Sequence, residues 1–228
     1  MTYPDPKAEL LAAAMPHVAF DGWTEDTFRA AVADSGVDPT VARAVCPRGA
    51  VDLAVAFHLS GDKALSKRLK SADMSDLRFR DRVAQAVRWR LEGIEDKEAV
   101  RRGTTLFALP QYASDGARLV WNTAHVIWDG LGDTATDYNY YTKRATLSGV
   151  YASTVLFWLG DDSTDHQATW DFLDRRIDNV MQIETVKAQV RKNPVLSRMA
   201  AVPEHFLSRI KAPTPMPDAD LPGSWRGE

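Results

Sequence analysis

The sequence predicts an all-α protein. Apolar residues return at three- and four-residue intervals along almost its whole length, and no segment sustains the period-two alternation of a half-buried strand. Capping residues and breakers fall where such helices have to begin and end. The 228 residues, 45% hydrophobic and 26% charged, are enough to bury one core, or a small head on a larger body.

The elements follow in order. A first helix is predicted over residues 6–17, closed by the turn around Phe20-Asp21-Gly22-Trp23. Thr24 caps a second helix with Glu25 and Asp26 in its first turn, and Ser35-Gly36 ends it. Asp38-Pro39 is a cap followed by proline at the first helical position, opening a short third helix. Arg48-Gly49 interrupts it, and a further helix leads through Phe57. Helices are then predicted over 62–71, 75–92, 95–108, 112–130, 138–160 and 165–192. Asn193-Pro194 stops the last of these, a short terminal helix follows, and the proline-rich stretch from Pro213 reads as a loose tail.

Gly22-Trp23-Thr24 before the second helix, Ser35-Gly36-Val37 before the third, and Arg48-Gly49-Ala50 followed by Phe57 resemble the helix-turn-helix head of the tetracycline-repressor superfamily. The resemblance implies a repressor-like all-helical fold of about nine or ten helices. It divides the chain into a head at 1–60, a helical body at 61–192, an amphipathic terminal helix at 193–212 and a tail at 213–228. DNA reading needs cations for phosphates and polar side chains for base edges. The head has Lys7, Arg29, Arg43 and Arg48 against Asp5, Glu9, Asp21, Glu25, Asp26, Asp34, Asp38 and Asp52, a net of −4. Such a face disfavours phosphate neutralisation, so the head is expected to be a scaffold with no nucleic acid partner.

No catalytic motif is evident, and neither a cofactor nor a metal is expected. The five histidines are scattered, and the His125–Asp129 pair one turn apart has no third ligand placed by the sequence. Asp129 to Asp133 with Asp137 superficially suggests a calcium loop, but Tyr140 stands where the twelfth-position glutamate belongs. Asp137 reads instead as a helix cap. Cys46, the single cysteine, lies in an apolar helix and forms no disulfide within the chain.

The second half carries the distinctive side chains. Trp121, His125 and Trp128 share one helix face, and Tyr141, Ala145, Ser148, Ala152, Val155 and Leu156 form a stripe of small and medium residues on the next, flanked by Tyr151 and Trp158. Large rings against small residues pack any helical core. Helices lined this way also leave an elongated apolar cavity for an acyl or prenyl chain. With Leu106 from the preceding helix, these residues (Leu106, Trp121, His125, Trp128, Tyr141, Ala145, Ser148, Ala152, Val155, Trp158) form the expected lipid site.

The run from Trp128 to Tyr151, with Asp137-Tyr138-Asn139-Tyr140-Tyr141-Thr142-Lys143-Arg144 at its centre, and the later stretch Thr169 to Asp178, resemble the ninth accessory protein of coenzyme Q biosynthesis. The resemblance extends over about residues 8–210. It implies a non-enzymatic, dimeric protein that binds isoprenoid lipid, lifts ubiquinone precursors from the membrane and presents them to a ring hydroxylase, di-iron or flavin. By position, Ile127, Trp128, Asp137, Tyr140, Tyr141 and Arg144 match the family's hydroxylase-facing patch. Tyrosine beside arginine is the composition of a binding hot spot.

Val195, Met199, Val202, Phe206 and Ile210 make one apolar stripe, and six cations (Lys187, Arg191, Lys192, Arg198, Arg209, Lys211) against Glu204 surround it. A basic amphipathic helix of this kind lies in a membrane interface; Pro203 removes one helical hydrogen bond and is expected to kink it. No stretch is apolar enough to span a bilayer, and residues 1–6 show no transit or secretory pattern. The expected location is therefore cytoplasmic, peripheral on the cytoplasmic face of an inner membrane. The competing class is a ligand-sensing repressor, which the acidic head argues against. An enzyme acting on a quinone lacks an acid–base pair.

Overall fold

A computed structural model describes residues 5–192 and 211–213, with side chains described to Val180 in the last helix. Its described residues form nine α-helices, a single 3-10 turn at Thr164–His166 and no strand. They are α1 Pro6–Asp21, α2 Glu25–Ser35, α3 Pro39–Val45, α4 Ala50–Ser71, α5 Phe79–Glu92, α6 Lys97–Phe107, α7 Ala113–Gly130, α8 Tyr138–Leu159 and α9 Gln167–Lys192. The predicted caps are in place: Thr24 accepts from the Thr27 amide, Asp38 from those of Thr40 and Val41, and Asp137 from that of Asn139.

Three boundaries differ from the sequence reading, each for a local reason. The first helix continues past Pro16 to Asp21 because Leu10, Ala14 and Val18 stay on one fully buried face, which offsets the one helical bond proline removes. The fifth begins at Phe79. Before it, Arg82 holds the carbonyls of Leu77 and Ser75, and Asp73 accepts from the Ser75 amide, so the chain there is a tied loop. The largest difference is α4, one 22-residue helix where two were predicted. Gly61 does not break it; it admits a neighbour. A Cβ built there would lie 2.7 Å from the Arg90 guanidinium.

Two apolar cores result. The head core joins Leu10, Val18, Trp23, Phe28 and Leu53 with Ala99 from α6. The body core gathers Leu65, Val87, Leu91, Ile127, Leu147, Trp158 and Leu173 from α4, α5, α7, α8 and α9. Helix α4 feeds both and runs unbroken across residue 60. Val195, Met199, Val202, Phe206 and Ile210, with Pro203, lie outside the described residues, as does the tail after Pro213. The chain is described again at 211–213, where the Ala212 amide donates to the Thr136 carbonyl (2.9 Å) and the Tyr141 hydroxyl to the Lys211 carbonyl (3.2 Å).

Candidate functional site: a polar-floored cavity between the two cores

Where α1, α4, α6, α7 and α8 meet, they enclose a cavity of about 1120 Å³, slightly above the ~300–1,000 Å³ usual for small-molecule sites. Its walls are mainly apolar. Leu11 and Met15 come from α1, Phe57 from α4, Val100 and Phe107 from α6, and Val120 from α7. Ala54, Ala99 and Ala152 leave the space that larger residues would fill. Leu156, 59% exposed, marks a side open to solvent.

One end of this cavity is polar. Asp62, 2% exposed, accepts from Arg90 Nε (2.8 Å), Thr123 Oγ1 (2.9 Å) and Asn122 Nδ2 (2.8 Å). Arg90 Nη2 donates to the His58 carbonyl at 2.9 Å. The Thr123 hydroxyl has one proton and gives it to the carboxylate, so it accepts from His58 Nε2 at 2.9 Å. That assignment makes His58 Nδ1 the lone-pair nitrogen. Burial pushes His58 down to about 4, against the pull of Asp62, so the ring is neutral near pH 7. Burial likewise raises the Tyr151 phenol, with Arg90 opposing. His58, Arg90 and Tyr151 all line the cavity.

Of the ten residues expected to hold lipid, Ala152 and Val155 line this cavity. The other eight are not among its lining residues. Leu106 packs against the head core. Trp158 is buried beneath the Lys97 ammonium, 5.1 Å from its ring. Ala145 is exposed, and the Ser148 hydroxyl is buried with no hydrogen-bond partner among the described residues. Trp121, Tyr141, Tyr140 and His125 form a ring ladder between α7 and α8, with successive centroids 6.3, 5.2 and 6.3 Å apart. Trp128 donates to the Lys143 carbonyl at 3.1 Å and packs on Phe79.

The same ladder holds Tyr140 and Tyr141 of the expected partner patch, and two other members of that patch lie inside the fold. Ile127 is fully buried, because one residue along a helix turns the side chain about 100° from Trp128 and into the body core. Arg144 is 2% exposed. It donates to Asp133 (3.0 Å), the Tyr140 carbonyl (3.0 Å) and His125 Nδ1 (3.1 Å), and its guanidinium sits 3.6 Å from the Tyr140 ring centroid. Burial would raise the Asp133 carboxyl, yet Lys143 and Arg144 hold it below the usual carboxylate range. Arg144 therefore braces the α7–α8 junction from inside, leaving Asp137 exposed and Trp128, Tyr140 and Tyr141 half-buried.

In the head, Arg43 pairs with Glu25 and covers the Phe28 ring, and Arg48 is held by Asp52 and Asp115 at 2.8 Å each. Among the described residues no group of three or more His, Cys, Asp or Glu is placed to hold a metal ion, and no helix is long and apolar enough to cross a membrane. The sequence reading did not reach His58, Asp62 and Arg90. The available signals were a His–Asp pair four apart around Gly61, and an arginine three residues after Val87 on a buried face.

Residues 113–184, from α7 into α9, match the COQ9 family model. The chain is 28% identical over 216 residues to the probable mitochondrial ubiquinone biosynthesis protein coq9 of Dictyostelium discoideum, covering 90% of this chain and 67% of that protein. Against the mitochondrial ubiquinone biosynthesis protein COQ9 of Drosophila melanogaster it is 30% identical, covering 80% and 57%. The human COQ9 protein gives 26%, covering 80% and 59%. The chain thus spans less than two thirds of the fly and human proteins. Among solved structures, a TetR transcriptional regulator from Nitrosomonas europaea superposes with a TM-score of 0.62 at 19% identity, covering 76% of this chain and 97% of that one. At that identity the likeness speaks for fold alone, and the fold is the repressor-like one expected from the head.

Proposed function

From the premise that the chain is a COQ9 homologue with the COQ9 domain at residues 113–184, we propose that it serves ubiquinone biosynthesis by carrying an isoprenoid or quinone-type lipid. The observation that carries this reading is the cavity of about 1120 Å³, apolar along its walls and polar at one end. It suits a long tail bearing an oxygenated head. The carrier acts without catalysis of its own, as a homodimer, and hands its lipid to a quinone-ring hydroxylase. The half-buried rings of Trp128, Tyr140 and Tyr141 beside exposed Asp137 are the patch for that partner. The basic amphipathic stretch 193–212 docks it on a membrane surface. The relatives' names assign those proteins to mitochondria and lend nothing to a cytoplasmic face, so the proposal keeps surface docking alone.

The alternative of a ligand-sensing repressor loses support in the head, where Arg43 and Arg48 are already held by carboxylates. The test is organic extraction of freshly purified protein followed by mass spectrometry, alongside Ala152→Trp, which fills the cavity from α8. A stoichiometric polyprenyl compound in the parent, strongly reduced in the variant at unchanged helicity, is the expected result. Equal lipid in both, or none in the parent, overturns it.

A further inference from the structure

The cavity's polar end has a feature that its volume does not convey: its charges cancel. Asp62 neutralises Arg90 at 2.8 Å, and His58 is uncharged near neutral pH. The remaining charged lining residues, Lys97, Glu95 and Asp96, sum to a net negative charge. Lys97 donates to the Asp161 carbonyl at 3.0 Å, and Glu95 and Asp96 line the same cavity. A phosphate or diphosphate entering here would lose its hydration and meet no net positive charge, which is costly.

The hydrogen-bonding groups that remain are specific. Arg90 can only donate; its Nε and Nη2 are committed, leaving Nη1 without a protein acceptor among the described hydrogen bonds. With the ring proton assigned to Nε2 by the Thr123 contact, His58 Nδ1 can only accept. Tyr151, 3% exposed, brings a hydroxyl that already bonds the Thr123 side chain and keeps room for one more partner. Gly61 lets the guanidinium lie against the α4 backbone, so the donor is held in place before any ligand arrives.

The geometry points to a head-in site, in which His58, Arg90 and Tyr151 take the oxygens of an uncharged phenol-type ring and the apolar walls take its tail. This rests on the carrier reading above and adds which end enters and what chemistry it must have. A hydroxyl on the ring donates to His58 Nδ1, and a second ring oxygen accepts from Arg90.

The test uses the full chain, stripped of lipid, and the change in its tryptophan fluorescence, to which Trp23 in the cavity lining contributes. Three probes share one tail: a polyprenylated phenol, the polyprenyl diphosphate and the plain polyprenyl hydrocarbon. The phenol is expected to bind at least about 10-fold tighter than either of the others, one or two buried hydrogen bonds' worth. His58→Phe removes the acceptor and keeps a ring; it should weaken the phenol about 10-fold and leave the hydrocarbon unchanged. Tyr151→Phe removes one oxygen only and should act in the same direction, which keeps the test decisive if His58→Phe does not fold. A diphosphate that binds most tightly, or variants that weaken all probes alike, overturns the head-in site while sparing the carrier. Failure of all three probes to bind the parent overturns both.

Discussion

Gly61 shows how much one missing side chain can determine. In a helix interior alanine is preferred to glycine by ~1 kcal/mol, so on propensity alone Gly61→Ala should stabilise α4. Its Cβ would instead meet the Arg90 guanidinium at 2.7 Å, and that group cannot swing away without giving up Asp62 and the His58 carbonyl. Urea unfolding is expected to show Gly61→Ala destabilised by about 1–2 kcal/mol, the scale of one or two such bonds. Gly149→Ala, in α8 with nothing within 4 Å of the new Cβ, should gain up to about 1 kcal/mol. A stabilised Gly61→Ala would mean the guanidinium is not pinned. At this scale the sequence was partly legible. Asp137, Thr24 and Asp38 are caps as read, because capping is local. Arg90 and Asp62 were not found, because a buried ion pair joins residues 28 apart and nothing local announces it.

Among the elements, the approach to α9 shows a carboxylate organising a helix start. Asp161 accepts from the amides of Ser163 (2.8 Å) and Thr169 (2.9 Å) and from the Thr169 hydroxyl (2.5 Å). The Thr169 and Ser163 hydrogen bonds hold its carboxyl well below the usual carboxylate range. A depressed folded value means a contribution fully present above the unfolded value and lost as pH falls through the folded one. Acid titration of stability should therefore lose part of its low-pH slope in Asp161→Asn, which keeps the shape and removes the titration. An unchanged slope would assign the acid sensitivity to other carboxylates. Helix periodicity itself was readable throughout, but which neighbour each face meets was not. On α8 the stripe Tyr141, Ala145, Ser148, Ala152, Val155, Leu156 is continuous in sequence, yet only its last three members reach the cavity. Its first half runs beyond the cavity, with Ala145 exposed. The opposite walls come from α1, α4 and α6, and no spacing within α8 can indicate them.

For the molecule as a whole, the repressor-like class was legible because caps, breakers and a three-to-four-residue period all agree along the chain. A cavity between two cores was harder to see, since it belongs to neither half and arises only where they meet. The head–body division at residue 60 falls inside α4, whose Leu53 packs in one core and Leu65 in the other. Alpha6 strengthens the tie, placing Ala99 in the head core while the Trp23 indole donates to its carbonyl at 3.1 Å. Calorimetry of the full chain is therefore expected to give one transition for head and body, with equal calorimetric and van't Hoff enthalpies; two separable peaks would contradict it.

A helix shared in this way has a kinetic side. Whichever core begins to form, the half of α4 it orders presents the other half already helical, so the costly nucleation of a first turn need be met only once. The repressor-like head is then less a module attached to the body than the other end of the same folding event.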